Sequence, residues 1–385
     1  MRLAVVAAGY TPGEADELRR AMTHKRSHER IEEMRGRLVA GMAAKGIAAA
    51  DADAILRQLH GFAGYGFPES HAASFALLVY ASAWVKRHHP AAFAAALLDS
   101  QPMGFYAPHT LVEDAKRHGV TVRGVDVVHG EWGCTLEGEA EGVPAVPGER
   151  PALRLGLGLV RGLPRAVGEA VLAARRQGTF ASVEDLARRA RLSRAWLARL
   201  AGAGALRSLA PGRREALWTA LGLSPGDEAD LFAGRLPPEA AAALPAPAAA
   251  EEVARDYAAT GLSEKAHPVS FLRAALAARG ARTALELSRM RDRAAAEIGG
   301  IVIVRQRPKT AAGITFVSLE DETGIANLVV MPDVYERFRP LVRNAPFLLA
   351  RGRVERNGKV VNLRVRELLP LAPLQRLPTS SRDFH

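Results

Sequence analysis

The chain runs to 385 residues, too long for one ordinary hydrophobic core, so about two to four domains are expected. Apolar residues make up 48%, and the formal net charge of +11 favours a polyanionic partner, nucleic acid first and an anionic membrane surface second. A single cysteine, Cys134, excludes an intrachain disulfide framework and a cysteine-built zinc site, suits a reducing compartment, and reads as a small buried or half-buried thiol.

The opening run MRLAVVAAGY lacks the length of a signal peptide and reads as the middle of a helix. TPGEADELRRAM follows as a turn at Thr11, Pro12 and Gly13, then a helix with Glu14, Asp16 and Glu17 in its first turn, where the macrodipole favours acids. Its Arg19 and Arg20 read either as a solvated face or as two guanidinium forks able to clamp phosphate oxygens. In HKRSHERIEEMRGRLVAGMAAKGI, Ile31, Met34, Leu38 and Met42 recur at helical spacing and are expected in a core. A Gly-rich turn (Gly61, Gly64, Gly66) and Pro68 then lead into a helix with Ser70 as expected N-cap. From Ala72 to Val85 there is no charge, and Phe75, Leu77, Leu78, Val79, Tyr80, Ala83 and Trp84 make the helix apolar all round, which requires burial in protein or lipid. The run is shorter than the ~18–20 residues that cross a bilayer, so a core helix is expected. Lys86, Arg87, His88 and His89 suit its C-terminal end, and Pro90 starts a second helix. The stretch reads as a buried hairpin without chemistry, or as a hairpin whose Glu69-Ser70-His71 mouth suits an anion such as phosphate.

Thr110 to His118 reads as helical and Gly119 to Val128 as a short strand; residues 139–150 form a Gly/Pro/Glu-rich loop. Residues 150–214 carry fourteen arginines and no lysine against Glu169, Glu184 and Asp185, an excess as large as that of the whole chain. There LGLGLVRGLPRAVGEAVLAARR reads as a hairpin, with Gly158 and Gly162 in the turn, followed by a helix from Ala166 to Arg175. FASVEDLARRARLSRAWLARLAGAGAL reads as a second copy, with Leu186, Leu192, Leu197, Leu200 and Leu206 as core. A tight Gly turn aims backbone N–H groups at one DNA phosphate without reading sequence. A small basic helical bundle contacting protein is the alternative. Residues 216–295 read as an Ala/Pro-rich linker with a helical excursion, and a helix is expected after Pro268. From 296 to 372 the period changes to short alternating runs, with turn signals at 309–313, 321–324 and Asn357-Gly358, and a helix, PDVYERFRPLV, between the third and fourth strands. That is the order of an OB-fold. Arg305, Arg307, Arg351, Arg353, Arg364 and Arg366 recur on the strands, and Phe316 is a candidate base-stacking platform, worth about 1–3 kcal/mol per stacked base. Glu320, Asp321 and Glu322 are read as a solvated turn rather than a metal cluster.

The string GYGFPESHAASFALLVYASAWVKRHHPAAFAAALL resembles the fingers domain of bacterial C-family DNA polymerases, the α subunit of DNA polymerase III and its error-prone paralogue. The resemblance covers nearly all of the chain. It implies a multidomain α+β fold: partial, N-terminally truncated polymerase fingers at 1–136, a tandem helix-hairpin-helix at 150–214, a linker with helical segments at 215–295, an OB-fold β-barrel at 296–372 and a tail at 373–385. The GEAD-x-LRRAM pattern matches the family's paired arginines that reach the incoming triphosphate, which implies nucleotide binding by Arg19 and Arg20, with Ser70 and His71. DNA binding is implied for Gly158, Arg161, Gly162 and Arg165, and on the barrel for Arg305, Arg307, Phe316, Arg351 and Arg353. Pro164 stands where the family usually has a second glycine and removes one N–H donor, so the phosphate contact is expected either to be weaker or to be made by Arg161 and Arg165 instead. Asp230-Leu231-Phe232 resembles the family's sliding-clamp-binding peptide, with Glu228 in place of the leading Gln. The runs RQRP-x-TA-x-GITFVSLEDETGIANLVV and -SRDFH resemble the error-prone branch, which synthesises across lesions after damage. The family's magnesium ions are held by palm aspartates in a segment before residue 1, so this chain alone is not expected to polymerise, and no metal ligand or catalytic residue is assigned in it. The expected partners are primer-template and single-stranded DNA, a deoxynucleoside triphosphate, and the sliding clamp or an accessory polymerase-like protein, in the cytoplasm and without a membrane. The alternatives are a non-catalytic DNA-binding scaffold and an RNA-binding OB protein.

Overall fold

The computed structural model describes residues 2–22, 27–61, 69–104, 106–138, 151–223, 244–308, 311–372 and 382–384. They form two compact units, residues 1–84 and 85–385.

The first unit is helical: α1 (Arg2–Ala8), α2 (Pro12–Met22), α3 (Ser27–Ala44), α4 (Ala49–Gly61) and most of α5 (Glu69–His88). Ala4, Ala8, Tyr10, Ala15, Leu18, Leu38, Met42, Ala52 and Leu56 close its core, so the expected stripe on α3 is buried at Leu38 and Met42 and half-buried at Met34. The α1–α3 crossing is close: a Cβ on Gly41 would lie 2.1 Å from the Ala8 carbonyl oxygen. Helix α2 starts at Pro12, inside the expected turn, and of the three acids only Glu14 lies in its first turn. The Glu14 side chain accepts from the Thr11 N–H at 2.8 Å, and the Glu14 N–H donates back to Thr11 Oγ1 at 3.4 Å, a reciprocal cap.

Helix α5 departs from expectation twice. Ser70 lies inside its first turn rather than at the N-cap. Every residue from Ala73 to Trp84 is exposed, Leu77 and Tyr80 to 74% each, so the helix forms but its apolar surface is not in a core. Helix formation is local, through backbone hydrogen bonds, whereas burial needs a second surface that the described residues do not provide.

In the second unit, α6 (Pro90–Asp99) starts with Pro90 at its first position and buries Ala91, Ala94, Ala95 and Leu98. Next come α7 (Pro108–Arg117), then β1 (Val122–Arg123), β2 (Thr135–Glu137) and β3 (Ala152–Arg154), which make a small sheet in the order β1-β3-β2. Helices α8 (Arg165–Arg176), α9 (Val183–Arg189), α10 (Arg194–Gly202) and α11 (Arg213–Gly222) share one continuous core with α6, α7 and this sheet. Leu186, Leu197, Leu200 and Leu206 are all inside it, and Leu192 packs against it. Burial pushes the half-buried Cys134 thiol up to about 12, with neighbouring Asp99 adding to the rise.

From residue 244 onward, the stretch read as a linker is built into the unit. Helix α12 (Ala249–Thr260) buries Val253 and Tyr257, and a 3-10 turn at Pro268–Leu272 leads into α13 (Arg273–Ala278) and α14 (Ala284–Arg289). Thr283 and Glu286 form a full capping box at α14.

The barrel comprises β4 (Ala295–Gln306), β5 (Thr315–Asp321), β6 (Gly324–Val330), helices α15 (Pro332–Arg337) and α16 (Arg339–Asn344), β7 (Phe347–Asn357) and β8 (Val360–Pro370). The strands run in the order β5-β6-β8-β7-β4, and β4 pairs back with β5 to close the cylinder. Only β6 and β8 are parallel among these five. Five strands, with the helical connection between the third and fourth, make the expected OB-fold. A short strand β9 (Arg382–Phe384) lies parallel to β4 at Val304–Gln306, on the side that β7 leaves beyond Ile301.

Candidate nucleic-acid interface

On α2, Asp16 holds both expected phosphate ligands: Arg19 Nε lies 2.8 Å from Oδ1 and Arg20 Nε 2.9 Å from Oδ2. All three side chains are exposed, and the hydrogen bond from Arg19 holds the Asp16 carboxyl below its ordinary range. One carboxylate thus keeps two guanidinium groups side by side at the surface. On α5, His71 is exposed and packs at a tilt against Phe75 of its own helix, with ring centroids 4.3 Å apart and planes at 50°. The Ser70 side chain lies outside the described residues.

The hairpin before α8 assigns its residues differently from the sequence reading. Gly162 takes the left-handed conformation at φ 69°, the turn that was expected. At Gly158 the N–H is already taken: it donates to the Trp132 carbonyl at 2.9 Å, and a Cβ there would lie 3.1 Å from the Trp132 indole. Arg161 is exposed, but its donors go to α12. Its backbone N–H donates to the Ala259 carbonyl at 2.8 Å and its guanidinium to the Ala258 carbonyl at 3.4 Å. Arg165 stays at the surface, paired with Glu169 at 2.8 Å one turn along α8. Pro164 is extended and immediately precedes α8, and its carbonyl accepts from the Val167 and Gly168 N–H groups at 3.0 and 3.2 Å, which leaves those of Arg165 and Ala166 at the helix start. Arg199 on α10 joins this site without having been singled out: it donates to the Arg161 carbonyl at 2.6 Å, with its guanidinium 5.7 Å from the Trp196 ring centre. Its place beside the turn depends on the α10–hairpin packing, which no local pattern encodes.

On the barrel, strand register sorts the arginines. Phe316 on β5 pairs with Val329 on β6, Val329 with Arg364 on β8, and Arg364 with Arg353 on β7. Directly opposed residues share one side of a sheet. Phe316 is 38% exposed, and Arg353 and Arg364 are exposed, so this row lies on the barrel's outer surface. The next row is polar: Ser318, Asn327, Asn362 and Glu355. Counting alternation from Phe316 would have found these neighbours. Arg364 sits 3.3 Å from Glu355. Arg351 is exposed but held between Glu297 and Glu367, the latter at 3.1 Å. Arg307 packs its guanidinium 4.1 Å from the Tyr335 ring centre, a cation–π contact.

Arg305 is a correction. Its side chain is buried and donates to the carbonyls of Val342 and Ala345 at the end of α16, where a cation complements the dipole. It pairs in register with buried Val317, one position out of phase with the Phe316 row. The bulge between Val302 and Val304 reverses the alternation that a count along β4 would give.

The acidic run is a second correction. Glu320 is 0% and Asp321 1% exposed, because both still belong to β5 and the helices pack over that end of the strand. Glu320 accepts from Arg117 at 3.2 Å and from Thr110 at 3.4 Å, and lies 3.9 Å from His109. Asp321 accepts from the Ala284 and Thr323 N–H groups, both at 2.8 Å, and from Arg273 at 3.1 Å, while Glu322 also pairs with Arg273. Burial pushes the Glu320 carboxyl up to about 7 despite Arg117. Among the described residues no three His, Cys, Asp or Glu side chains are grouped to hold a metal ion. No helix among them is long and apolar enough to cross a membrane. Asp230, Leu231, Phe232 and Glu228 lie outside the described residues.

Comparison with known families places each part. Residues 1–46 match the bacterial DNA polymerase III alpha subunit finger domain, 119–216 the helix-hairpin-helix motif, and 296–371 the OB-fold nucleic acid binding domain. Fingers, helix-hairpin-helix and OB-fold in one chain define the class, a multidomain DNA-binding portion of a polymerase. The whole chain is 69% identical over 385 residues to an error-prone DNA polymerase of Anaeromyxobacter dehalogenans, covering 34% of it, and 52% identical to one of an Azoarcus species, covering 36%. The chain belongs to the bacterial error-prone DNA polymerases, as a portion of one, and spans about a third of the length of these relatives. Among solved structures, asparaginyl-tRNA synthetase of Pyrococcus horikoshii aligns over 26% of this chain and 24% of its own, at 19% identity and a TM-score of 0.22, too slight a likeness to bear on function.

Proposed function

We propose that this chain supplies the DNA- and nucleotide-gripping parts of an error-prone polymerase that copies across lesions. The observation that carries the reading is the barrel row Phe316–Val329–Arg364–Arg353, which sets a stacking ring and two cations on one exposed surface of an OB-fold. A single strand laid along it finds a base platform at Phe316 and phosphate partners at Arg353 and Arg364. The Gly162 turn and the start of α8, with Arg165, meet duplex phosphates without reading sequence. Arg19 and Arg20, with Ser70 and His71, take the triphosphate of the incoming nucleotide, two guanidinium forks sharing its oxygens.

Magnesium, which polymerase chemistry implies, does not fit the acidic residues described. Asp321 and Glu322 already receive Arg273, and Glu320 receives Arg117. The sliding clamp, through Asp230-Leu231-Phe232, and an accessory polymerase-like protein are further proposed partners, in the cytoplasm.

Fluorescence anisotropy with a single-stranded DNA tests this reading. Binding should weaken steeply with salt, and Arg353→Ala with Arg364→Ala should flatten the log–log slope by roughly 0.7 for each lost contact. A salt-independent affinity, or a preference for RNA of the same sequence, overturns it. In the complete polymerase, Arg19→Ala with Arg20→Ala should raise the KM for nucleotide while leaving DNA affinity unchanged.

A further inference from the structure

Helix α5 presents an apolar surface that none of the proposed DNA contacts uses. Phe75, Leu77, Leu78, Val79, Tyr80 and Trp84 are all about half exposed or more. Successive helical residues are ~100° apart, so Leu77 through Tyr80 point in four directions around the axis. The exposure therefore encircles the helix for three turns. Contiguous apolar surface of this kind marks an interaction site.

The chemistry of the face selects its occupant. Between His71 and Lys86 the helix carries no charged residue, so it offers nothing to a phosphate backbone. It is not long and apolar enough to cross a membrane. A two-fold contact with a second copy covers one stripe of a helix and leaves the other sides wet. An apolar helix exposed on every side fits a body that wraps it. The relatives supply a candidate of the right size, because this chain matches only 34% of a relative that is 69% identical to it.

We infer that α5 is an assembly element: the polypeptide making up the other two-thirds of such a polymerase folds around residues 73–84 and seats these parts in the complete enzyme. This rests on the polymerase reading above. It adds to that reading a specific seam, made of Leu77, Leu78, Val79, Tyr80 and Trp84.

The test mixes this chain with the polypeptide comprising the remaining two-thirds of that relative, and follows complex formation by light scattering and amide exchange of α5 by mass spectrometry. The expected result is a one-to-one complex in which exchange at 73–84 slows. Leu78→Asp with Tyr80→Asp should weaken it by roughly a hundredfold or more, whereas Val360→Asp, an exposed apolar position on β8, should not. The same two aspartates at the matching positions of the full-length relative should lower its melting temperature, which keeps the test decisive where the separate polypeptide does not fold. Four results would overturn the inference: a complex indifferent to the aspartates, unchanged exchange at α5 within a complex, slow exchange there in the chain alone, or self-association that the aspartates abolish. DNA anisotropy on the same samples separates the two readings. Lost DNA binding with an intact complex counts against the polymerase reading and leaves the seam standing.

Discussion

Between residues 150 and 214 most described arginines turn their donors onto the chain itself, whereas on β7 and β8 Arg353 and Arg366 face solvent. Arg154 is buried against Glu137 at 2.6 Å and the Gly124 carbonyl at 2.8 Å. Arg175 closes the 127–131 turn through the carbonyls of Val127 and Val128, and Arg189 donates to the carbonyls of Thr179 and Gly178. Arg207 pairs with Glu264, and Arg214 with Glu251. The helical region thus holds a large formal excess of charge whose guanidinium groups act mainly as multi-donor clasps. The barrel has fewer cations, but strand register sets two of them in one exposed row with an aromatic ring. Local charge density is a poor guide to where a polyanion binds when the cation is arginine, since five fixed donors suit carbonyl-rich turns as well as phosphates.

The strongest break in this comparison is at Arg213. It is buried against Asp256, which also accepts from Ser263 at 2.7 Å. Burial, followed by the charge of Glu264, raises the Asp256 carboxyl above its ordinary value, so it depends on Arg213 to remain ionised. Arg213→Ala strands that carboxylate and should cost about 3–5 kcal/mol of stability. Denaturant unfolding checks this, and an unchanged midpoint would show the arginine to be dispensable to the fold. On the barrel, Phe316→Ala should weaken single-stranded DNA binding by about 1–3 kcal/mol, with the salt slope unaltered because no phosphate contact is lost. The first substitution acts on folding and the second on binding; the comparison fails if the two effects exchange places.

The joint between α7 and the barrel should respond to pH. Glu320 titrates near 7 in the folded chain against an ordinary 4.5. A raised folded value means that the protonated form is favoured by folding. The contribution is full below about 4.5 and is lost as pH rises through 7. His267, also buried, opposes this: burial and then His109 hold its imidazole well below the usual range, so its share is lost as pH falls. Comparison with Glu320→Gln isolates the carboxyl. Between pH 6 and 8 the native chain should lose about 1.4 kcal/mol relative to the variant. Parallel stability curves would mean that Glu320 keeps its ordinary affinity for protons.

Much of this architecture was legible because it is local. The alternating runs and turn signals from 296 onward gave five strands and the helical insertion, and Pro90 marked the start of α6. The site residues divided along a different line. Arg353 and Phe316 needed only alternation, while Arg305 sits beyond a bulge that inverts it. Gly158 and Gly162 look alike in sequence, yet the first is required by the Trp132 ring and the second by a left-handed turn. Glu320 and Asp321 resembled a solvated turn because nothing in the run LEDETG reports that α7 and α13 pack over it. For Gly158, Glu320 and Asp321 the deciding neighbour is distant in sequence.

The finest test contrasts two arginines four residues apart. Arg161 and Arg165 were expected to act together on a phosphate, but Arg161 is bound to the Ala258 carbonyl of α12 and Arg165 lies at the mouth of the Gly162 turn. Arg165 is 72% exposed in its side chain and its partner Glu169 58%, so their ion pair contributes little to stability. Arg165→Gln should therefore leave melting unchanged and lower the slope of duplex affinity against salt by about one. Arg161→Gln removes one neutral-acceptor hydrogen bond and should leave that slope alone. Equal slopes for the two variants would mean that the hairpin meets DNA by some route other than Arg165. The backbone N–H groups at the start of α8 would then carry the contact, which Pro164 still permits because it precedes the first of them.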